Sequence, residues 1–205
     1  MRSFVTGLGL ILCLSACGGE TEEQGAAVVA TPTERVTPTP DAASRGKSAV
    51  SLALRSDGVT IIEAGSGSRK TNTIIFGADE VEVISAMSEV LGRPRTGSDA
   101  ECGAGAVSFA DFGSLQVNLR DGHFVGYVAT MADGTQFAGV GGEDLSNATF
   151  EGLRNRADAE PVESTLDGEI AFSGSDGGRL GGFVEGAGES APLQSVFAGT
   201  TCFYR

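Results

Sequence analysis

Ala106–Ala129 reads AVSFADFGSLQVNLRDGHFVGYVA. Extended runs over Ala106–Phe112, Leu115–Arg120 and Phe124–Ala129 are separated by Gly113 and by the pair Asp121 and Gly122. With only these turn signals between successive runs, the simplest arrangement is an antiparallel meander.

Upstream, Val81, Ile84, Met87, Val90 and Leu91 recur at helical spacing and predict a helix over Ala78–Leu91. Asp79 and Glu80 suit its positive end, Gly92 stops it and Pro94 prevents its resumption. Further back, Val50, Leu52 and Leu54, the turn residues Ser56, Asp57 and Gly58, then Val59, Ile61 and Ile62 read as a hairpin. Gly65–Ser68 breaks it before the run Thr73–Phe76.

Downstream the order repeats loosely. Leu145, Phe150 and Leu153 form a weaker helical pattern over Gly141–Asn155, Pro161 interrupts, and short extended runs surround Ile170, Phe172, Leu180, Phe183, Val184, Val196, Phe197, Phe203 and Tyr204. Gly113, Leu115, Val117, Asp121 and Gly122 recur 55 positions later as Gly168, Ile170, Phe172, Asp176 and Gly177. The expected class is α+β: an antiparallel sheet with one or two packed helices, with a tandem helix-plus-three-strand repeat in sub-units 72–130 and 135–205. Chance similarity in a glycine-rich chain is the alternative to the repeat.

Residues 1–16 have the order of a secretory signal: Arg2, an apolar Leu8–Leu14, then Ser15 and Ala16. The segment is shorter than the roughly 20 residues needed to span a bilayer. Leu14, Ser15, Ala16 and Cys17 resemble the lipobox of bacterial lipoproteins, which implies cleavage before Cys17, acylation of Cys17 and firm attachment to a lipid bilayer, since one acyl chain alone holds marginally. An ordinary secretory signal with a chance cysteine is the competing reading. Gly18 stands where Asp marks inner-membrane retention in proteobacterial lipoproteins, so the resemblance implies the periplasmic leaflet of the outer membrane. Residues 17–46, rich in Thr, Pro, Ala and Glu, lack the apolar surface to offset ordering and read as a disordered tether; residues 47–205 are the size of a single globular domain.

The chain holds 14 Lys and Arg against 27 Asp and Glu, and loss of Arg2 with the signal leaves a charge of −14 before end groups. That excludes nucleic acid as an expected partner and argues against lying flat on anionic lipid. With Cys13 removed and Cys17 acylated, Cys102 and Cys202 remain, and in an oxidising compartment they read as one structural disulfide.

Gly77, Glu80, Val81, Leu91, Gly92 and Pro94, followed by the meander with Asp121 and Gly122, resemble the repeat unit of the BLIP-like and BamE-like envelope proteins. That resemblance implies helices packed on an antiparallel sheet and a role in protein binding. The chain departs from it in lacking a second helix before the sheet and in having no Trp. Glu101, Cys102, Gly103, Ala104 and Gly105, with the C-terminal Ala198–Cys202, are similar to short uncharacterised lipoproteins of alphaproteobacteria. An aspartate-semialdehyde dehydrogenase label, carried by some of these, finds no support: family enzymes begin with a dinucleotide-binding unit and are much longer.

His123 is the sole histidine and sits beside a turn glycine, so it reads as a solvent-facing hairpin residue. Gly139, Gly141 and Gly142 lack the Lys and hydroxyl residue of a phosphate loop. Asp79, Glu80 and Glu82, or Glu143 and Asp144, lack the ordered donors of a calcium loop and read as solvated helix starts. No catalytic, cofactor or metal residue is expected. The expected function is a non-catalytic envelope lipoprotein that binds another protein through its sheet or a sheet edge. A small-ligand binder with a pocket lined by Phe109, Phe112, Phe124 and Tyr127 on a concave sheet face comes second, and a hydrolase built on Asp111 and Asp121 comes last.

Overall fold

The computed structural model describes residues 49–65, 68–131, 134–186 and 188–203. The expected signal segment 1–16, the expected acylation site Cys17, the expected tether 17–46 and Tyr204 lie outside the described residues.

The chain opens with β1 (Ala49–Arg55), β2 (Gly58–Ala64) and β3 (Arg69–Ile75), each antiparallel to the one before. The β1–β2 hairpin is thus the one read from the sequence, joined by Ser56 and Asp57. Helix α1 (Glu80–Leu91) follows, with Asp79 as N-cap accepting from Val81 N–H at 2.9 Å. At its other end Gly92, at φ 88°, donates to Ser88 O, and Pro94 follows. The buried stripe of α1 is Val83 and Met87, one turn apart, with Ile84, Val90 and Leu91 partly covered. Val81, expected on that stripe, faces solvent at 76% exposure. It lies half a turn of helix from Val83, and the acids beside it leave the face to water.

The meander contains one strand more than the sequence suggests. It runs β4 (Arg95–Asp99), β5 (Val107–Asp111), β6 (Leu115–Arg120) and β7 (His123–Thr130), all antiparallel. The polar β4, RTGSD, carries no hydrophobic alternation and is held by pairing with β5. Asp121 and Gly122, both at positive φ, make the two-residue turn between β6 and β7.

After β7, β8 (Gln136–Ala138) leaves the meander and pairs in parallel with β1. Two short 3-10 turns, Val140–Gly142 and Leu145–Asn147, replace the start of the expected second helix. Positive φ at Gly141 and Gly142 interrupts the first turn, and Asp144 caps the second. Helix α2 then covers Phe150–Ala157 behind its N-cap Thr149 and ends on Asp158 at φ 50°. Four strands complete the chain: β9 (Glu160–Pro161), β10 (Glu169–Ser173), β11 (Arg179–Val184) and β12 (Leu193–Gly199).

Two sheets result, one of four strands ordered β3-β2-β1-β8 and one of eight ordered β4-β5-β6-β7-β12-β11-β10-β9. The fold is α+β, with both helices packed into a core shared by the two sheets. The eight-stranded sheet joins two copies of one plan, a helix followed by four antiparallel strands, through their last strands β7 and β12. The 55-residue correspondence cuts across that plan. It equates the β6–β7 hairpin with β10–β11, whereas strand order makes β11 and β12 the counterparts of β6 and β7. The architectural repeat stands, and the residue-level match is a similarity between two Asp-Gly hairpins.

Both central strands are bulged. Asn118 pairs with Gly126 but Leu119 with Phe124, so Val125 is an extra residue in β7; Phe183 pairs with Ser195 but Val184 with Leu193, so Gln194 is extra in β12. Side chains alternate faces, so two residues three apart would point oppositely on a regular strand. The bulges bring Phe124 with Tyr127, and Leu193 with Val196, to the same buried side. Each such large side chain contributes roughly 1.5–3 kcal/mol by leaving water.

Candidate interaction surface

The face of the eight-stranded sheet turned away from this core forms a continuous surface. Cross-strand pairing sets one row across it: Arg95, Asp111, Gln116, Val128, Phe197, Gly181, Ala171 and Glu160. Its ends are charged. Arg95 Nη2 meets Asp111 Oδ2 at 2.6 Å at one edge, and Arg179 Nη2 meets Glu160 Oε1 at 2.5 Å at the other. Its middle is apolar: Phe183, Phe197 and Phe203 form a mutually packed triad with ring centroids 4.8–5.3 Å apart. Phe197 lies over Gly181, and on the other half Phe109 lies over Gly97, so in each half an aromatic ring covers a strand glycine.

A strap crosses this face. Beyond β12, Thr200 N–H donates to Val125 O at 2.8 Å and Asn118 Nδ2 donates to Thr200 O at 2.8 Å. Such close approach is open only to glycine at position 126, where a Cβ would run into the Thr200 backbone. Two residues on, Cys202 is disulfide-bonded to Cys102, with Cα atoms 5.0 Å apart across a separation of 100 residues. The sequence pairing is therefore the pairing in the fold. Cys102 lies between β4 and β5, within the first four-stranded unit, and the bond fastens the C-terminus over the first half of the sheet.

Beside the strap lie two clefts that share Val128 and Thr130. One, about 520 Å³, is lined by Met131, Glu185, Pro192, Leu193, Gln194 and Ser195; the other, about 290 Å³, by Asp111, Gly113, Gln116, Cys202 and Phe203. Bulge residue Gln194 lines the first, so the irregularity that fills the core also shapes the outer surface.

The four aromatics expected to line a pocket do not converge. Phe124 and Tyr127 are wholly buried in the core, Phe109 stands on the outer face, and Phe112 packs at the β5–β6 turn. The Val125 bulge and the alternation of faces separate them. Asp111 and Asp121 flank opposite ends of β6, the first paired with Arg95 and the second in a turn. His123 is exposed. Asp79 and Asp144 serve as helix caps, and Glu143 folds back toward Gly139. Among the described residues, no three His, Cys, Asp or Glu side chains are grouped to hold a metal ion.

Three perturbed titrating groups meet elsewhere, where the β1–β2 turn joins the larger sheet. The Tyr127 hydroxyl donates to Arg55 O at 2.8 Å; burial, and then the charge of Asp176, push its pKa far up. Burial alone would raise the Asp176 carboxyl. Hydrogen bonds from the Ser56 hydroxyl at 2.7 Å, from Ser56 N–H at 3.2 Å and from Gly178 N–H at 3.3 Å outweigh it and hold the group below the ordinary aspartate value. Arg55 is raised, chiefly by its hydrogen bond to Asp57 at 2.7 Å. Ser175 adds hydrogen bonds from its N–H and hydroxyl to Leu54 O at 3.0 and 2.8 Å. These hydrogen bonds link the β1–β2 turn to β7 and to the β10–β11 turn, so the cluster is a polar clamp between the sheets. It was missed in the sequence because Ser56 and Asp176 are 120 residues apart.

No known protein family, curated protein or solved structure matches the chain.

Proposed function

We propose that the chain is a membrane-anchored envelope lipoprotein, attached through acylated Cys17 on the periplasmic side of the outer membrane, that works without catalysis by docking another protein on the outer face of its large sheet. The observation that carries this reading is the composition of that face: partly exposed apolar side chains at Val128, Phe183 and Phe203 around a largely buried Phe197, clefts beside them, and charge at both edges. An apolar centre inside a polar rim is how protein-docking surfaces are built. The fitting partner is neutral or basic at its rim, because the chain carries −13 overall and Glu185 and Asp111 border the clefts.

The test places a photo-crosslinking residue at Val128 or at Thr60, which points away from the core on the small sheet, in the lipidated full chain within the envelope. One stoichiometric adduct from position 128 and none from 60 is expected. Equal adducts from both positions, or none from either, would overturn the proposal. Fractionation together with intact-mass analysis checks the anchor separately: a soluble, unacylated product beginning at Met1 would remove it.

A small-ligand reading draws on one observation, the volume of about 520 Å³ beside Met131 and Leu193, which falls in the range of ligand pockets. Native mass spectrometry of protein purified from envelopes distinguishes it, since a bound compound would add a discrete mass that a change at the exposed cleft residue, Gln194→Arg, abolishes.

A further inference from the structure

We propose that a second copy of this chain docks along the open edge of β3, so that two four-stranded sheets join across a twofold axis at Asn72. This stands apart from whatever the outer face of the large sheet binds. Among the described residues, β3 pairs with β2 alone and its other edge is uncovered. The remaining sheet edges are poorer templates: β9 is two residues long and contains Pro161, β8 has three residues, and β4 has five. β3 is a seven-residue edge without proline.

The direction of its free backbone groups follows from its pairing. At the two ends of the β2–β3 ladder, Gly65 N–H donates to Ser68 O and Phe76 N–H donates to Asp57 O. Hydrogen-bonded pairs alternate along an antiparallel ladder, so the even-numbered residues of β3 bond to β2, while Arg69, Thr71, Thr73 and Ile75 turn their N–H and C=O groups outward. An antiparallel second copy centred on Asn72 sets Arg69 opposite Ile75 and Thr71 opposite Thr73, and so satisfies every outward residue with another outward residue. No other twofold register pairs the whole strand.

Charge and exposure agree with this choice of occupant. β3 begins with Arg69 and Lys70 in a chain of net charge −13, and four residues past its other end α1 opens with Asp79, Glu80 and Glu82. Antiparallel pairing brings the basic end of each copy toward the acidic end of the other. Ile75, on β3 itself and 52% exposed, would be covered by the paired copy.

The full chain, purified in detergent, is tested by sedimentation and cross-linking. The expected result is a reversible dimer. In it Asn72→Cys forms an intermolecular disulfide, because its two copies face each other about 4.5 Å apart in a non-hydrogen-bonded pair. Ile75→Lys, at a half-exposed site that the fold tolerates, places like charge opposite Arg69 and should weaken the dimer about tenfold. Adding Arg69→Glu should restore it. A monomer at the highest soluble concentration, the absence of an Asn72→Cys cross-link, a cross-link to a different protein instead, or failure of the charge swap to restore association would overturn the proposal.

Discussion

Asp176 accepts hydrogen bonds from Ser56 and Gly178 and so ties the β10–β11 turn to the β1–β2 turn. A carboxyl held below its unfolded pKa, about 3.9, binds fewer protons when folded. Its contribution is therefore fully present above that value and is lost as pH falls through the lower, folded one. Asp176→Ala should cost about 1 kcal/mol at neutral pH, discounted for the exposure of the site. The variant should also lose less further stability than wild type on acidification to about pH 3. Urea titrations of both proteins at the two pH values measure this; parallel acid limbs would show that Asp176 has no part in the clamp. At this scale the sequence was legible where chemistry is local. The Asp121–Gly122 turn, the caps Asp79 and Gly92, and the cysteine pair all rest on near neighbours or on elimination. The clamp and the strap rest on contacts between residues roughly a hundred positions apart, which no local pattern encodes.

A strong hydrophobic period identifies the kind of element but not the phase of its buried face. The α1 pattern placed Val81 and Met87 on one stripe, but tertiary packing selects Val83 with Met87. Met87→Ala should therefore cost about 2–5 kcal/mol in thermal unfolding, the range for large-to-small changes in a core. A near-silent result would mean that α1 is not docked as described. The bulges are a separate case. The extended run of β7 is legible in the sequence, but the extra residue Val125 becomes visible only against the pairing of β6. Deleting Val125 leaves β7 regular and must turn either Phe124 or Tyr127 out of the core, which should abolish cooperative unfolding seen by near-ultraviolet circular dichroism. Val125→Ala keeps the residue count and should leave the transition within about 1 kcal/mol of wild type. Strands β4, β8 and β9 were not legible, since polar or very short segments become strands only because a neighbouring strand offers them hydrogen bonds.

Across the whole molecule, the two helix-and-four-strand units are joined strand to strand through β7 and β12 in the large sheet, with Cys102 in the first unit and Cys202 beyond the last strand of the second. Closing a loop of about 100 residues removes unfolded-state entropy worth about 4–5 kcal/mol on the chain-entropy account. The bond also has a local consequence, since the strap it anchors forms a wall of the smaller cleft through Cys202 and Phe203. Reduction, or Cys102→Ser with Cys202→Ser, should therefore do two things that can be separated. It should lower the denaturation midpoint by an amount set by loop entropy, and it should release Phe203 from the triad and so reduce cross-linking from Val128 even where the protein remains folded. Hydrogen exchange at Thr200 N–H reports the strap directly, because that group is held by Val125 O at the edge of the bulge. Loss of stability with Thr200 still protected would mean that hydrogen bonds to β7 alone hold the strap, and that the disulfide acts on the unfolded chain without shaping the surface.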